Sequence, residues 1–199
     1  MEKKHRWTKG LCASAITLAV LLLVLVVDGI AFWGMKYVFH LDFSQDYRQV
    51  EASGQLRFWD WRNEKIYIRY VLGLRPTEKR KDIPSVEKPA LSWLDTDVYD
   101  VTLSDDRAAW YDRKERRIFL GNVEGEVQES FDLTYEGEEL AFSPDGRYLL
   151  VYEIEYNFNG GYSTDEDYCY YRVIDLEDGT QYTVYSGYRE WFQVYWEEN

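Results

Sequence analysis

The chain of 199 residues carries 36 acidic and 23 basic side chains, unevenly placed along its length. Five of the basic and two of the acidic residues fall within the first 36 positions, which leaves 18 basic and 34 acidic residues beyond Lys36 and a net charge of −16 on that outer part. A surface so acidic repels phosphate backbones and anionic lipid, which argues against nucleic-acid binding and leaves cations, basic proteins and neutral sugars as ligand classes.

Residues 1–10 hold Lys3, Lys4, Arg6 and Lys9 against Glu2, and the run from Leu11 to Val27 carries no charge. After Asp28 the apolar character continues through Ile30, Ala31, Phe32 and Trp33. A helix from Leu11 to Trp33, at about 1.5 Å per residue, covers ~34 Å, enough for a hydrocarbon core of ~30 Å. The expectation is a transmembrane signal anchor over residues 11–34 in the cell membrane. Its basic tail (1–10) stays in the cytoplasm, the rest of the chain is extracellular, and Trp33, Lys36 and Tyr37 sit at the outer interface. A cleavable signal peptide is the competing reading, because Gly29 and Ala31 are small residues one position apart. Bulky Phe32 and Trp33 follow them, and the apolar run is longer than a signal core. Cys12 opens the run instead of following it, unlike a lipoprotein cysteine. Asp28 either reaches headgroup water from near the end of the span or pairs with a partner helix. Ala15 and Ala19 give one small-residue spacing of the kind used in helix pairing.

Residues 35–55 are polar, with Asp42, Asp46, Arg48 and Glu51, and read as a short helix or a juxtamembrane stalk. Residues 56–199 read as strands. Leu56 to Trp61 and Lys65 to Tyr70 form a first pair around Arg62-Asn63-Glu64, the second member alternating as a half-buried strand does. Arg75 to Pro89 holds three of the four prolines and Lys79-Arg80-Lys81, and reads as a surface loop. Leu91 to Val101 then re-enters the sheet, and Trp110 to Leu120 echoes the first pair in its order of aromatic, Asp, charged turn and Ile. The stretches Gly121–Val127 and Asp175–Gln181 each read as a hairpin closed by an acidic residue and glycine. Trp191 to Trp196 is either the first strand of another sheet or the strand that completes the first one.

The strongest strand-turn-strand signal is Leu140 to Tyr152, LAFSPDGRYLLVY. Pro144 presets φ, Asp145 bonds local backbone and Gly146 accepts positive φ, so a hairpin is expected at this point. The returning run Tyr148 to Tyr152 is apolar at successive positions, as in a strand covered on both faces. This segment resembles the β-propeller repeat of TolB-type proteins and of the tricorn-type and prolyl-oligopeptidase-type peptidases. Val101 to Tyr111 is a weaker copy, with Ser104 set 39 positions before Ser143, close to the ~40 residues of a four-stranded blade. The resemblance implies blades of four antiparallel strands and implies no particular activity. The outer part has room for three such blades, or four if its first and last pieces combine, so the stack is open, completed by a second copy, or a small twisted-sheet domain.

Chemistry is sparsely marked. His5 and His40 lie in the tail and at the membrane surface, which disfavours Ser-His or Cys-His catalysis and a histidine metal site in the outer domain. No Gly-x-Ser-x-Gly elbow or phosphate-cradling glycine loop occurs. Cys169 stands alone beyond Cys12, so no disulfide forms within the outer domain; it reads as a packed apolar residue, with intermolecular pairing the alternative. The absence of Asn-x-Ser/Thr acceptors agrees with a bacterial envelope.

The segment Asn157 to Asp167 interrupts the hairpin that follows Tyr152 and is the candidate site. Asn157, Asn159, Asp165 and Asp167 offer oxygen ligands to calcium, although their spacing differs from the EF-hand loop and a plain acidic hairpin tip explains them too. Tyr156, Phe158, Tyr162 and Tyr168 beside acids and amides form a surface suited to stacking on sugar rings or gripping a basic peptide, each tyrosine being equally explicable as core.

The fold expected is therefore all-β, a partial or small β-propeller-like stack of antiparallel sheets preceded by one N-terminal transmembrane helix. The role expected is a membrane-anchored extracytoplasmic binding or scaffold module without catalysis, whose partner is another protein, a second copy or a carbohydrate. No cofactor is expected apart from the calcium considered above. A cell-wall or carbohydrate-active enzyme using paired carboxylates is one alternative. A sensory or accessory subunit that pairs through Asp28 in a membrane complex is another.

Overall fold

A computed structural model of the chain describes residues 15–30, 33, 45–60, 62–69, 74–79, 89, 91–94, 97–156, 167–188 and 192–197. Residues 15–30 form a helix, α1, and residue 33 is also helical. Its apolar side chains, from Ile16 to Val27 and again at Ile30, are exposed around the whole circumference. Among the described residues no helix is long and apolar enough to cross a membrane. Residues 1–14, 31, 32 and 34–44, with Cys12, His5, His40, Lys36 and Tyr37, lie outside the described residues.

Twelve strands follow: β1 Leu56–Asp60, β2 Lys65–Arg69, β3 Leu74–Lys79, β4 Val98–Ser104, β5 Arg107–Asp112, β6 Arg117–Asn122, β7 Val127–Asp132, β8 Glu136–Phe142, β9 Tyr148–Glu155, β10 Tyr168–Asp175, β11 Gln181–Tyr188 and β12 Gln193–Trp196. They build three four-stranded sheets with antiparallel pairing throughout: sheet I (β12-β1-β2-β3), sheet II (β4-β5-β6-β7) and sheet III (β11-β10-β9-β8). The last strand therefore completes the first sheet. Leu56 lies opposite Trp196 and Phe58 opposite Val194, and Arg57 and Glu197 form an ion pair beside them. Combining the first and last pieces thus yields the first of three sheets.

Sheet III lies between the other two, and β9 shows why its sequence is apolar at successive positions. Tyr148, Leu150, Tyr152 and Ile154 face the core shared with sheet I, together with Phe58, Tyr171, Tyr185, Val194 and Trp196. Leu149 and Val151 face the core shared with sheet II, with Ala109, Tyr111, Ile118 and Leu120. A strand covered on both faces has no polar side, and burying each such side chain contributes about 1.5–3 kcal/mol. Cys169 is fully buried in the first of these cores. Hydrogen bonds tie the inner strands together: the Leu140 N–H donates to Asp100 Oδ2 at 2.7 Å, and Trp196 Nε1–H donates to the Ala141 carbonyl at 3.1 Å.

The Ser143–Arg147 turn is held by its own side chains. Ser143 Oγ accepts the Tyr148 N–H (2.9 Å), Asp145 Oδ1 accepts the Arg147 N–H (3.1 Å), and Gly146 takes φ +69°. The Ser104–Arg107 turn touches it, with Arg107 donating to the Gly146 carbonyl. The two repeated segments are therefore neighbours in space as well as in pattern. The first and third hairpin tips share a device as well: Asp60 Oδ1 accepts the Asn63 N–H and Asp112 Oδ1 accepts the Glu115 N–H, each three residues on. Gly125 and Gly179 supply positive φ in the hairpins expected at 121–127 and 175–181.

Three expectations need correction. Residues 74–79, read as part of a surface loop, form edge strand β3. An edge strand tolerates Pro76 and charged residues because one of its sides makes no ladder bonds, so it lacks the apolar signature of an inner strand. Residues 45–55, read as a stalk, are two short 3-10 helices (Gln45–Gln49 and Glu51–Gln55) docked on the domain. Tyr47 and Val50 are buried in the core with Phe58, and Glu51 pairs with Arg147 at 2.8 Å. Leu91, Trp93 and Leu94 do not pair as a strand; they cover the outer face of sheet II against Trp110, and Trp93 Nε1–H donates to the Val123 carbonyl at 2.7 Å. Trp61, Tyr70, Arg80, Lys81 and Trp191 lie outside the described residues.

Candidate functional site

At the end of sheet III away from the Ser143 turn, β9 and β10 hand the chain to and from residues 157–166. The site there is built on Glu153. The period of two along β9 points this residue to the same side as Leu149 and Val151, and it is completely buried. Its Oε2 accepts the backbone N–H groups of Thr134 (3.1 Å) and Tyr135 (2.9 Å), which fixes the link from β7 to β8. Its Oε1 lies 3.1 Å from Arg172 Nε, a charge contact without hydrogen-bond alignment. Burial pushes the Glu153 carboxyl above its ordinary value, and the two N–H donors and Arg172 partly offset the shift.

Glu153 thereby sets Tyr135, whose ring stacks on Tyr170 with centroids 4.7 Å apart and planes 9° from parallel. Arg172 lies over the Tyr170 ring at 5.7 Å and also donates to Thr134 Oγ1 at 3.1 Å. Tyr168 meets Tyr170 at 5.3 Å and Tyr188 at 5.6 Å. The Tyr170 hydroxyl donates to Glu155 Oε2 at 2.9 Å, and burial followed by hydrogen bonding with Tyr135 and Glu155 raises its pKa far above the ordinary value. The result is a half-buried group of four tyrosines with an exposed carboxylate at its margin.

The structure divides the residues expected to act together. Tyr168 lies opposite Glu155 and so belongs to this group. Tyr156, the next residue along, takes the other face of sheet III, where it packs against the core shared with sheet I and its hydroxyl donates to Glu138. Asp167 is buried. Phe158, Tyr162, Asn157, Asn159 and Asp165 lie outside the described residues. Asp28 is half buried on α1, with Oδ2 enclosed and no hydrogen-bond partner for it among the described residues. No group of three or more His, Cys, Asp or Glu side chains suited to a metal ion occurs among the described residues.

The sequence reading passed over Tyr135, Tyr170, Glu155, Arg172 and Glu153. Glu153 carries a usable signal, since a lone acid on the inward parity of a strand apolar on both faces must find buried donors. Tyr135 carries none, because its stacking partner lies on a strand far along the chain. Neither a family model nor a curated protein sequence matches the chain.

Proposed function

We propose that the chain is a non-enzymatic binding or scaffold module, anchored in the membrane by residues 11–34 and displayed outside the cell as a partial β-propeller-like stack. The observation that carries the binding role is the tyrosine group, four rings held at a sheet end by a fully buried glutamate. Ordering such rings beforehand lowers the entropy cost of ligand contact. The anchor is supported by α1, whose apolar residues cover its whole circumference, as suits lipid or a buried position and not water. The propeller-like reading is supported by the in-order strands of sheets II and III and by a first sheet shared between the early and late strands.

The test is co-sedimentation of the full-length chain, reconstituted in nanodiscs, with isolated cell envelopes. Tyr135→Ala is expected to lower the bound fraction at least fivefold without changing the circular dichroism spectrum. Equal binding by the variant and the parent sinks the proposed surface.

A second reading, an accessory subunit of a membrane complex, is favoured by the enclosed Asp28 Oδ2 on an otherwise apolar helix. A membrane partner that co-purifies with the parent and is lost with Asp28→Leu supports it. Unchanged co-purification with the variant contradicts it.

A further inference from the structure

Resting on the tyrosine surface proposed above, we infer that its occupant is a cationic polypeptide segment, whose Lys or Arg side chains lie against the tyrosine rings and pair with Glu155. The first support is charge: the outer part of the chain carries −16, a field that draws basic chains toward it. The second is local. Glu155 is exposed at the margin of the rings and is held there by the Tyr170 hydroxyl, so a carboxylate waits beside aromatic carbon. A guanidinium or ammonium group is stabilised by both features at once.

The third support is the way the rings are used. Stacking on a sugar needs an open ring face. Tyr170, at the centre of the group, has Tyr135 stacked parallel on it and the Arg172 guanidinium over its ring, so what it presents outward is a hydroxyl and a carboxylate partner. Arg172 also shows what this surface holds well: it lies over Tyr170 and 3.1 Å from the Glu153 carboxylate, a cation between a ring and an acid. A second cation placed between the ring group and Glu155 repeats that arrangement at the exposed margin.

The experiment titrates the full-length chain, in phosphatidylcholine nanodiscs, with a hexa-arginine peptide and separately with the neutral sugar chitohexaose. Glu155→Gln is expected to weaken hexa-arginine binding about threefold to fivefold, the size of one exposed ion pair. Glu124→Gln, which removes the same charge from the exposed β6–β7 hairpin, should leave it unchanged. Tyr170→Leu is expected to weaken it about tenfold through the lost cation–ring contact. Equal effects of Glu155→Gln and Glu124→Gln mean attraction to the overall charge and overturn the inference. Chitohexaose binding that disappears with Tyr170→Leu, without site-dependent peptide binding, overturns the cationic occupant and leaves the tyrosine surface standing. If neither probe binds, the inference falls, while the envelope test with Tyr135→Ala decides the surface separately.

Discussion

The carboxylate of Glu153 and the backbone of Tyr135 form the joint on which the candidate site rests: a fully buried oxygen accepts the Tyr135 N–H at 2.9 Å, and the Tyr135 ring lies parallel to Tyr170. Removing the acid strands two N–H groups and a largely buried guanidinium. Glu153→Ala is expected to cost about 3 kcal/mol. Urea unfolding of the full-length chain measures it, and a loss under 1 kcal/mol would mean that the joint is dispensable.

The same carboxylate gives a pH signature. Its folded pKa is raised above 4.5 by burial, so between 4.5 and the folded value the native state holds more protons than the unfolded chain. Its contribution is then greatest below the ordinary value and declines as pH rises through the folded one. The stability of Glu153→Gln relative to the parent should accordingly increase from pH 4.5 to pH 7, measured as the difference in urea midpoint. A difference that stays flat across this range would contradict the assigned burial.

Gly146 is fixed by two constraints, a φ of +69° and the neighbouring repeat, since an added Cβ would meet Arg107 Nη2 at 2.5 Å and Ser104 Oγ at 2.8 Å. Gly146→Ala is expected to destabilise by about 2 kcal/mol, the strain of the left-handed backbone plus displacement of Arg107. Gly54→Ala, with open space around the Cβ, serves as the control and should cost under 1 kcal/mol. Equal losses in thermal or urea unfolding would refute the constraint.

Trp196 closes sheet I opposite Leu56 and is buried in the core shared with sheet III. Trp196→Ala should cost about 4 kcal/mol. Because β12 links the late part of the chain to the early part, amides of β1 should lose protection against hydrogen exchange in this variant before those of sheet II. Uniform loss across all three sheets would contradict that order.

What the sequence revealed follows from how local each signal is. The Ser143–Gly146 turn and the double-faced strand after it are written in consecutive residues, and both stand as read. Strand β3 was hidden because an edge position accepts Pro76 and charges. The place of β12 stayed open because its partner β1 is about 140 positions earlier, as the Arg57 and Glu197 contact marks. The site was half legible: Tyr168 belongs to it, whereas Tyr156 falls on the opposite face by the one-residue alternation of a strand. Tyr135 is joined to Glu153 across 18 residues, a pairing that no local pattern encodes.

The most direct test of the binding role is hydrogen exchange of the full-length chain in nanodiscs, with and without the hexa-arginine peptide. Protection is predicted to rise at residues 134–136 and 168–172, with sheet II strands β4 to β6 unchanged. Protection confined to the β3 or β7 edges, or spread evenly over the acidic surface, would contradict a tyrosine-centred site.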